Sequence, residues 1–379
     1  MRSIYEPLGK YIRYVDERNM GIVTKDLQGI SIDKFFMPSV GNVIGTDLSK
    51  YKLLRKGRFA CNPMHVGRDE KLPVSLFDKD EPAIVSPAYF MFEINDDKLL
   101  DSEYLMLCFR RPDFDHKCWF RTDASVRGGL SWDDLCSITI PIPSISEQRR
   151  IVYVNNVICK RIGLLNELNQ NLQEQAKAIY SKMIIESADE SWTPGVLSDI
   201  ATIIMGQSPN GDTYNETGDG TVFFQGRAEF GFRFPTRRLF TTDPKRMANA
   251  NDALMSVRAP VGDMNVAYED CCIGRGLSAI RSKDGHQSFV LYTMFDLRGA
   301  LEVFNGEGTV FGSINRDALN SLSISIPPKT VMDEFESIVA PIDATIRNNC
   351  DEIFRLEALR DILLPKLMSG ELDVSELEL

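Results

Sequence analysis

Histidine is scarce in this chain, with three among 379 residues, at positions 65, 116 and 286. So few imidazoles leave little for histidine-based catalysis, although isolated carboxylates stay open as acid–base groups. The eight cysteines form no CxxC pair and keep no regular spacing, so a zinc site is not expected. There is no GxxxxGK[ST] phosphate loop, no GxGxxG after a strand and no HExxH. The amino-methyltransferase pattern of an acidic or Asn residue, two prolines and an aromatic is also missing; Asn62-Pro-Met-His65 is a partial echo. No apolar run approaches the ~20 residues of a membrane span, and no apolar segment follows Arg2, so neither a span nor a signal peptide is expected. Free thiols in this number suit a reducing, cytoplasmic setting. The vicinal Cys271-Cys272 reads as two small buried strand residues, the alternative being a redox pair. These absences predict a chain with no catalytic, cofactor or metal site of its own.

What is present is ordinary soluble composition, 43% hydrophobic and 26% charged, in a length that suits two domains plus connectors. The net charge of −11 argues on its face against a nucleic-acid partner. Its distribution weakens that argument. Residues 1–143 are net −1, residues 144–187 net +2, residues 188–328 net −5 and residues 329–379 net −7. Most of the excess therefore sits in the last fifty-one residues, and the total says little about any one face.

The chain contains itself twice. Shifted by 184, Leu135-Cys-Ser-Ile-Thr-Ile-Pro-Ile-Pro143 falls on Leu319-Asn-Ser-Leu-Ser-Ile-Ser-Ile-Pro327. The same offset joins Phe120 to Phe304, Val126 to Val310 and Gly128 to Gly312, and runs ungapped through Ile151/Phe335, Ile158/Ile342, Leu172/Leu356 and Lys182/Lys366. Such a register implies two copies of a globular-domain-then-helix unit. Upstream, Gly67 answers Gly262 and residues 84–89 answer 272–277, with small insertions.

The repeated tail has helical periodicity. In the first copy Ile151, Val154, Ile158, Ile162, Leu165, Leu168, Leu172, Ala176, Ile179 and Met183 are spaced by three and four; in the second Phe335, Ile338, Ile342, Ile346, Ile353, Leu356, Leu359, Leu363 and Leu367 form a similar stripe. Ser144 with Glu147, and Thr330 with Asp333, have capping-box spacing. Each helix should run for about 35–40 residues, or ~55–60 Å. Two stripes of that length predict an antiparallel coiled coil relating the halves by a pseudo-twofold; the alternative is two unrelated surface helices, each on its own domain. Pro365 should kink or end the second helix, with Gly370 as a stop. The fold class is thus α+β, with two mixed α/β domains separated by two long helices.

Within residues 1–143 and 188–328, short β-rich runs (83–85, 89–92, 222–224, 253–257) alternate with Gly, Pro and Asn-Asp punctuation. Helices are predicted over Ser102–Arg110 and Ser288–Arg298. Two stretches are rich in cations: 47–59 has five basic residues, and 223–238 interleaves four arginines with phenylalanines. Long cationic side chains neutralise phosphates, and Arg or Gln can read base edges, yet a charge run is more often a solvated face.

At this point the residues resemble a known family, the specificity subunits of type I DNA restriction-modification systems, over essentially the whole chain. Ile140-Pro-Ile-Pro-Ser-Ile-Ser-Glu-Gln-Arg-Arg-Ile151 is similar to the start of the family's first conserved helix. Asn171-Leu-Gln-Glu-Gln-Ala176 and Leu363-Leu-Pro-Lys-Leu-Met-Ser-Gly-Glu371 are similar to its helix ends. Gly206-Gln-Ser-Pro209, Phe223-Phe-Gln-Gly226, Ser256-Val-Arg-Ala-Pro-Val-Gly262 and Ile273-Gly-Arg-Gly276 resemble one type of target-recognition domain; Gly45-Thr-Asp-Leu-Ser-Lys-Tyr-Lys52 and Asp113-Phe-Asp115 resemble another. The resemblance implies target-recognition domains at 1–143 and 188–328, spacer helices at 144–187 and 329–370, and a tail at 371–379. It implies that each domain reads half of a split double-stranded DNA target, while the helices fix the unread spacer and dock two methyltransferase (modification) subunits. Those partners would carry S-adenosylmethionine and methylate adenine at N6, with motor-nuclease (restriction) subunits as optional further partners. This chain would itself be non-catalytic. The acidic second helix and tail depart from a simple DNA clamp and read as protein-facing, so the isolated chain should bind DNA weakly.

On that basis Gln225, Arg227 and Arg258 are expected to contact DNA, with Arg233, Arg237 and Arg238 beside phosphates. In the first domain Lys50, Lys52, Arg55 and Arg58 are expected at phosphates, with Thr46 and Tyr51 nearer the bases. The alternative for Gln225 is a turn residue bonding its own backbone, and for Arg258 a salt bridge to Asp263. Two rival readings stay open: an adaptor with two ligand-binding modules on a coiled-coil spacer and no DNA role, and a self-contained methyltransferase, which would have to bind S-adenosylmethionine alone.

Overall fold

The computed structural model describes residues 4–39, 45–64, 66–122, 128–190, 192–306 and 312–373; His65 and the repeat pair Val126/Val310 lie outside these. The chain forms two compact units, residues 1–163 with 353–379, and residues 164–352. Each long helix therefore gives one part of its length to each unit.

In the first unit an antiparallel sheet has the order Ile12–Tyr14, Phe90–Ile94, Phe59–Cys61, Val74–Leu76. In the second the order is Ala201–Met205, Leu277–Ser282, Ala253–Ser256, Met264–Val266, again antiparallel. By chain position both sheets run first, fourth, second, third, so the sequence repeat is also a repeat of strand order. The inner strands Phe59–Cys61 and Ala253–Ser256 are buried along their whole length, which is why they lack the polar alternation of a half-exposed strand. Each unit also pairs its opening strand with its closing one: Ile4–Pro7 with Thr139–Ile142, and Thr193–Val196 with Ser323–Ile326. The closing strand leads directly into a long helix. The second unit adds a five-stranded sheet in which Thr221–Phe224 runs parallel to Cys271–Ile273. Helices Ser102–Phe109 and Gln287–Asp296 lie where periodicity puts them. Cys271 and Cys272 are fully buried in their strand, and burial pushes the Cys271 thiol up to about 12.

The long helices are Ile145–Tyr180, 36 residues, and Lys329–Ser369, 41 residues. The first opens on the expected capping box: the Ser144 N–H donates to Glu147 Oε2 at 2.9 Å, and the Glu147 N–H to Ser144 Oγ at 3.4 Å. The Thr330 box does not form. The second helix begins one residue earlier, because the Pro328 carbonyl already accepts the Val331 N–H at 2.9 Å. Asp333 instead accepts from Lys329 Nζ at 2.6 Å and bonds His286 Nε2 at 2.7 Å. Pro365 does not end the helix. It sits one turn from the C-terminus, where one lost donor is tolerable, and Gly370 closes the helix at φ +73°.

The buried stripes differ in detail from the expected ones. Leu168, Ile338 and Leu359 are exposed, while Asn169, Cys350 and Val339 are buried. In the second helix the covered positions 335, 339, 342, 346, 350 and 353 repeat every ~3.6 residues, the pitch of a straight helix, whereas the expected stripe drifted toward a heptad spacing. In the first unit Ile151 and Val152 share a core with Leu367 and Met368. In the second Ala176 and Tyr180 share one with Phe335, Val339, Ile346 and Cys350. Among the described residues no helix is long and apolar enough to cross a membrane.

Phe335 is fully buried against Tyr180, Phe289 and Tyr292. Phe335→Ala should cost the second unit about 3–5 kcal/mol in chemical denaturation, against under ~0.5 for Leu359→Ala. Burial opposes charge on His286, but its bonds to Asp333 and Asp284 outweigh that and raise its pKa. A raised folded-state value means that protonated His286 contributes stability present below the unfolded value of 6.5 and lost as pH rises through the folded one. The urea midpoint of the wild type should therefore fall above neutral pH more steeply than that of His286→Gln.

Candidate nucleic-acid interface

In the second unit several strand ends converge on one loop, Gly274-Arg275-Gly276. It leaves Cys271–Ile273, and its Gly274 N–H donates to the Phe224 carbonyl at 2.8 Å, at the end of Thr221–Phe224. The Gly276 N–H donates to the Gln225 carbonyl at 3.2 Å, and the Val257 N–H to the Gly276 carbonyl at 2.9 Å. The Arg275 N–H is held by Ser208 Oγ at 3.2 Å, and the Gln207 N–H by the Ile273 carbonyl at 3.0 Å. This packing needs glycine: a Cβ at Gly276 would lie 2.7 Å from the Gln225 carbonyl oxygen, and one at Gly274 2.9 Å from Gln225 Cα. The result is a backbone knuckle with the side chains of Gln225, Arg258 and Arg275 exposed at its rim.

These three side chains make no hydrogen bond or ion pair among the described residues. Gln225 does not bond its own backbone. Arg258 does not pair with Asp263, whose carboxylate takes Arg227, with Arg298 at 3.6 Å. Arg227 is exposed, as are Arg237, 2.5 Å from Glu269, and Arg238, 2.7 Å from Glu229. Exposed pairs are worth about 0–1 kcal/mol, so Arg227 and Arg237 can exchange a carboxylate for a phosphate at little cost, whereas Arg238 faces a buried carboxylate. Arg233 is different. It is 4% exposed and paired with Asp343, with Tyr292 5.9 Å below it. It is a core ion pair and not a phosphate neighbour.

The basic run of the first unit is also largely spoken for. Lys52 is 1% exposed, with Nζ donating to the Tyr89 carbonyl at 2.7 Å and to the Tyr14 hydroxyl. The strand Lys52–Leu54 is covered on both faces, which draws the lysine inward, so it is unavailable to a phosphate. Arg58 is mostly buried, 2.7 Å from Glu17 and 2.9 Å from the Leu53 carbonyl. Arg55 is exposed and pairs with Glu17 at 2.9 Å; the two guanidiniums hold that carboxyl below its usual range. Thr46 and Lys50 are exposed, and Tyr51 is half-buried. Asp47 caps the turn Leu48–Lys50 that presents them.

The reading from sequence passed over Arg275 as a contact, although the flanking glycines of Ile273-Gly-Arg-Gly276 mark a tight knuckle. Among the described residues no cluster of His, Cys, Asp or Glu is arranged to hold a metal ion.

Residues 189–357 match the family described as type I restriction modification DNA specificity domain. A relative in Methanocaldococcus jannaschii, a putative type I restriction enzyme MjaX specificity subunit, is 31% identical over 266 residues, 65% of this chain and 62% of its own length. Over residues 189–357 this chain is thus similar to the type I DNA specificity domain. The match spans less than two thirds of that relative. The HindI specificity subunit of Haemophilus influenzae is 20% identical across 90% of this chain and 92% of its own. A solved type I restriction-modification S subunit from M. genitalium shares the fold, with TM-score 0.59 at 14% identity over 96% of this chain and 95% of that one.

The buried cations should behave as structural groups. Arg233→Ala strands Asp343 and should cost about 3 kcal/mol of stability. Lys52→Ala strands the Tyr89 carbonyl and should cost ~1–3 kcal/mol. Equilibrium denaturation of the two variants checks this; full stability with weakened DNA binding would return them to the interface.

Proposed function

We propose that this chain is the sequence-specific DNA-recognition subunit of a type I restriction-modification complex. Each globular domain reads one half of a bipartite double-stranded target. The observation that carries this reading is the exposed, unpaired cluster of Gln225, Arg258 and Arg275 on a rigid knuckle, in a domain matching the specificity family. In a segment of net −5, uncommitted cations gathered on one rim are suited to an anionic partner.

The two long helices pair antiparallel, relate the halves by a pseudo-twofold and set the spacer between half-sites. The shared core of Ile151 with Leu367, and that of Tyr180 with Phe335, support the direction. Asn169 supports the register: wholly buried, its Oδ1 accepts from Asn349 Nδ2 at 2.8 Å, and a buried amide satisfied by one partner disfavours a slipped pairing. Two methyltransferase subunits, holding S-adenosylmethionine, dock on this chain and perform adenine-N6 methylation, with motor-nuclease subunits as further partners. The chain has no catalytic residue or cofactor of its own and works in the cytoplasm. The acidic second helix faces protein, which leaves phosphate binding shared with the partners.

Purified alone, the chain should transfer no methyl group from S-adenosylmethionine to DNA; turnover by pure protein would sink the subunit reading. Four residues inserted after Leu168, about one helical turn, should lengthen the spacer of the methylated motif and leave both half-sites intact. Mapping methylated adenines in cells carrying the variant decides it, and an unchanged gap in an active complex rules out the ruler.

A further inference from the structure

Arg275 is the apex of the Gly274-Arg275-Gly276 knuckle, and we infer that it determines specificity by reading a guanine edge in the half-site of the second domain. This rests on the DNA-recognition reading above and adds the base and the residue.

Four observations support the assignment, the first of them shared by Arg258 at the same rim. Its side chain is exposed and makes no ion pair or hydrogen bond among the described residues, whereas Arg227, Arg233, Arg237 and Arg238 all face carboxylates. Its backbone is held at 3.2 Å by Ser208, and the glycines on either side by Phe224 and Gln225. Those glycines carry nothing that would keep a base away, so the guanidinium is the foremost group of the loop. Beside it stands Gln225, also unpaired and fixed by the same hydrogen bonds.

A phosphate contact needs only positive charge, and the exposed arginines 227 and 237 already supply that in this domain. Base reading needs a donor fork whose origin does not move. Arginine presents two parallel N–H groups that match guanine O6 and N7, which neither a phosphate nor a pyrimidine requires in that geometry. Rigid backbone, free fork and absent neighbours are the conditions for that contact.

The test is made in the assembled methyltransferase, with Arg275→Ala and Arg275→Lys compared to the wild type on duplexes varied at each position of both half-sites. Solubility and denaturation midpoint serve as folding controls, since the side chain is exposed and makes no hydrogen bond or ion pair among the described residues. Arg275→Ala should lose about tenfold to a hundredfold discrimination at one G·C pair of one half-site. The other half-site and the spacer should be unaffected. Arg275→Lys keeps the charge and loses the fork, so it should show the same degeneracy with the salt dependence of binding retained. Uniform weakening on all duplexes, with a salt slope lower by about 1, would make Arg275 a phosphate contact and overturn the inference. So would a motif that survives Arg275→Ala, or one that lysine restores in full. A wild-type assembly that discriminates no duplex would overturn the proposed function itself, and this inference with it; the variant results above overturn the inference alone.

Discussion

Phe335 stands where three elements of the second unit meet. Its ring is edge-on to Tyr180 of the first long helix at 5.6 Å, and to Tyr292 and Phe289 of the helix Gln287–Asp296 at 6.1 and 6.2 Å. One side chain thus fixes both long helices against the globular part, with the large apolar burial and the edge-to-face geometry that aromatic rings favour. Polar groups of the same helix hold the same join: Glu336 accepts the Ser288 and Phe289 N–H groups at 3.1 Å, and Asp343, about two turns on, accepts the Tyr292 hydroxyl at 3.0 Å. In the first unit buried Gln148 has this task, accepting the Asp101 N–H and donating to the Leu99 carbonyl, both at 2.9 Å. Helix and domain are therefore locked at the root. Any surface carried by such a domain inherits the position of the helix.

The same lock explains why the charge of this chain is a poor guide to its partner. Some acidic residues of the second long helix are spent on groups of the same unit, Asp343 on Arg233 and Tyr292, Asp333 on His286 and Lys329. On the globular parts most cations face carboxylates at the surface. What matters for an anionic ligand is the remainder, and in the second unit that remainder includes Arg258 and Arg275 at one rim. A negative total and a positive site are compatible because the field near a groove is set by the few charges left uncompensated within a Debye length, ~8–10 Å.

Much of the architecture was legible from the residues. The 184 offset, the helical stripes and the Ser144–Glu147 box are local patterns, and local patterns decide where a helix starts and which strands recur. The failures share a cause. Lys52 and Arg233 look like surface cations in a one-dimensional run, yet each lies inside because tertiary packing offers it a carbonyl or a carboxylate. Asn169 was invisible as a core residue because its partner Asn349 is 180 positions away. Thr330 has the right spacing for a cap, but Pro328 starts the helix first. Spacing shows what a residue can do locally; it does not show which distant group satisfies it.

The candidate recognition side chains lie at strand ends, outside the strands themselves. Leu254, Met255, Cys272 and Leu277 are fully buried, so a change in any of them disturbs the sheet. Gln225, Arg258 and Arg275 lie within two residues of buried strand ends, yet they are themselves exposed. The backbone hydrogen bonds that hold them do not depend on side-chain identity, and the two glycines supply the only steric requirement. Such a loop accepts a change of side chain at these positions with little loss of stability.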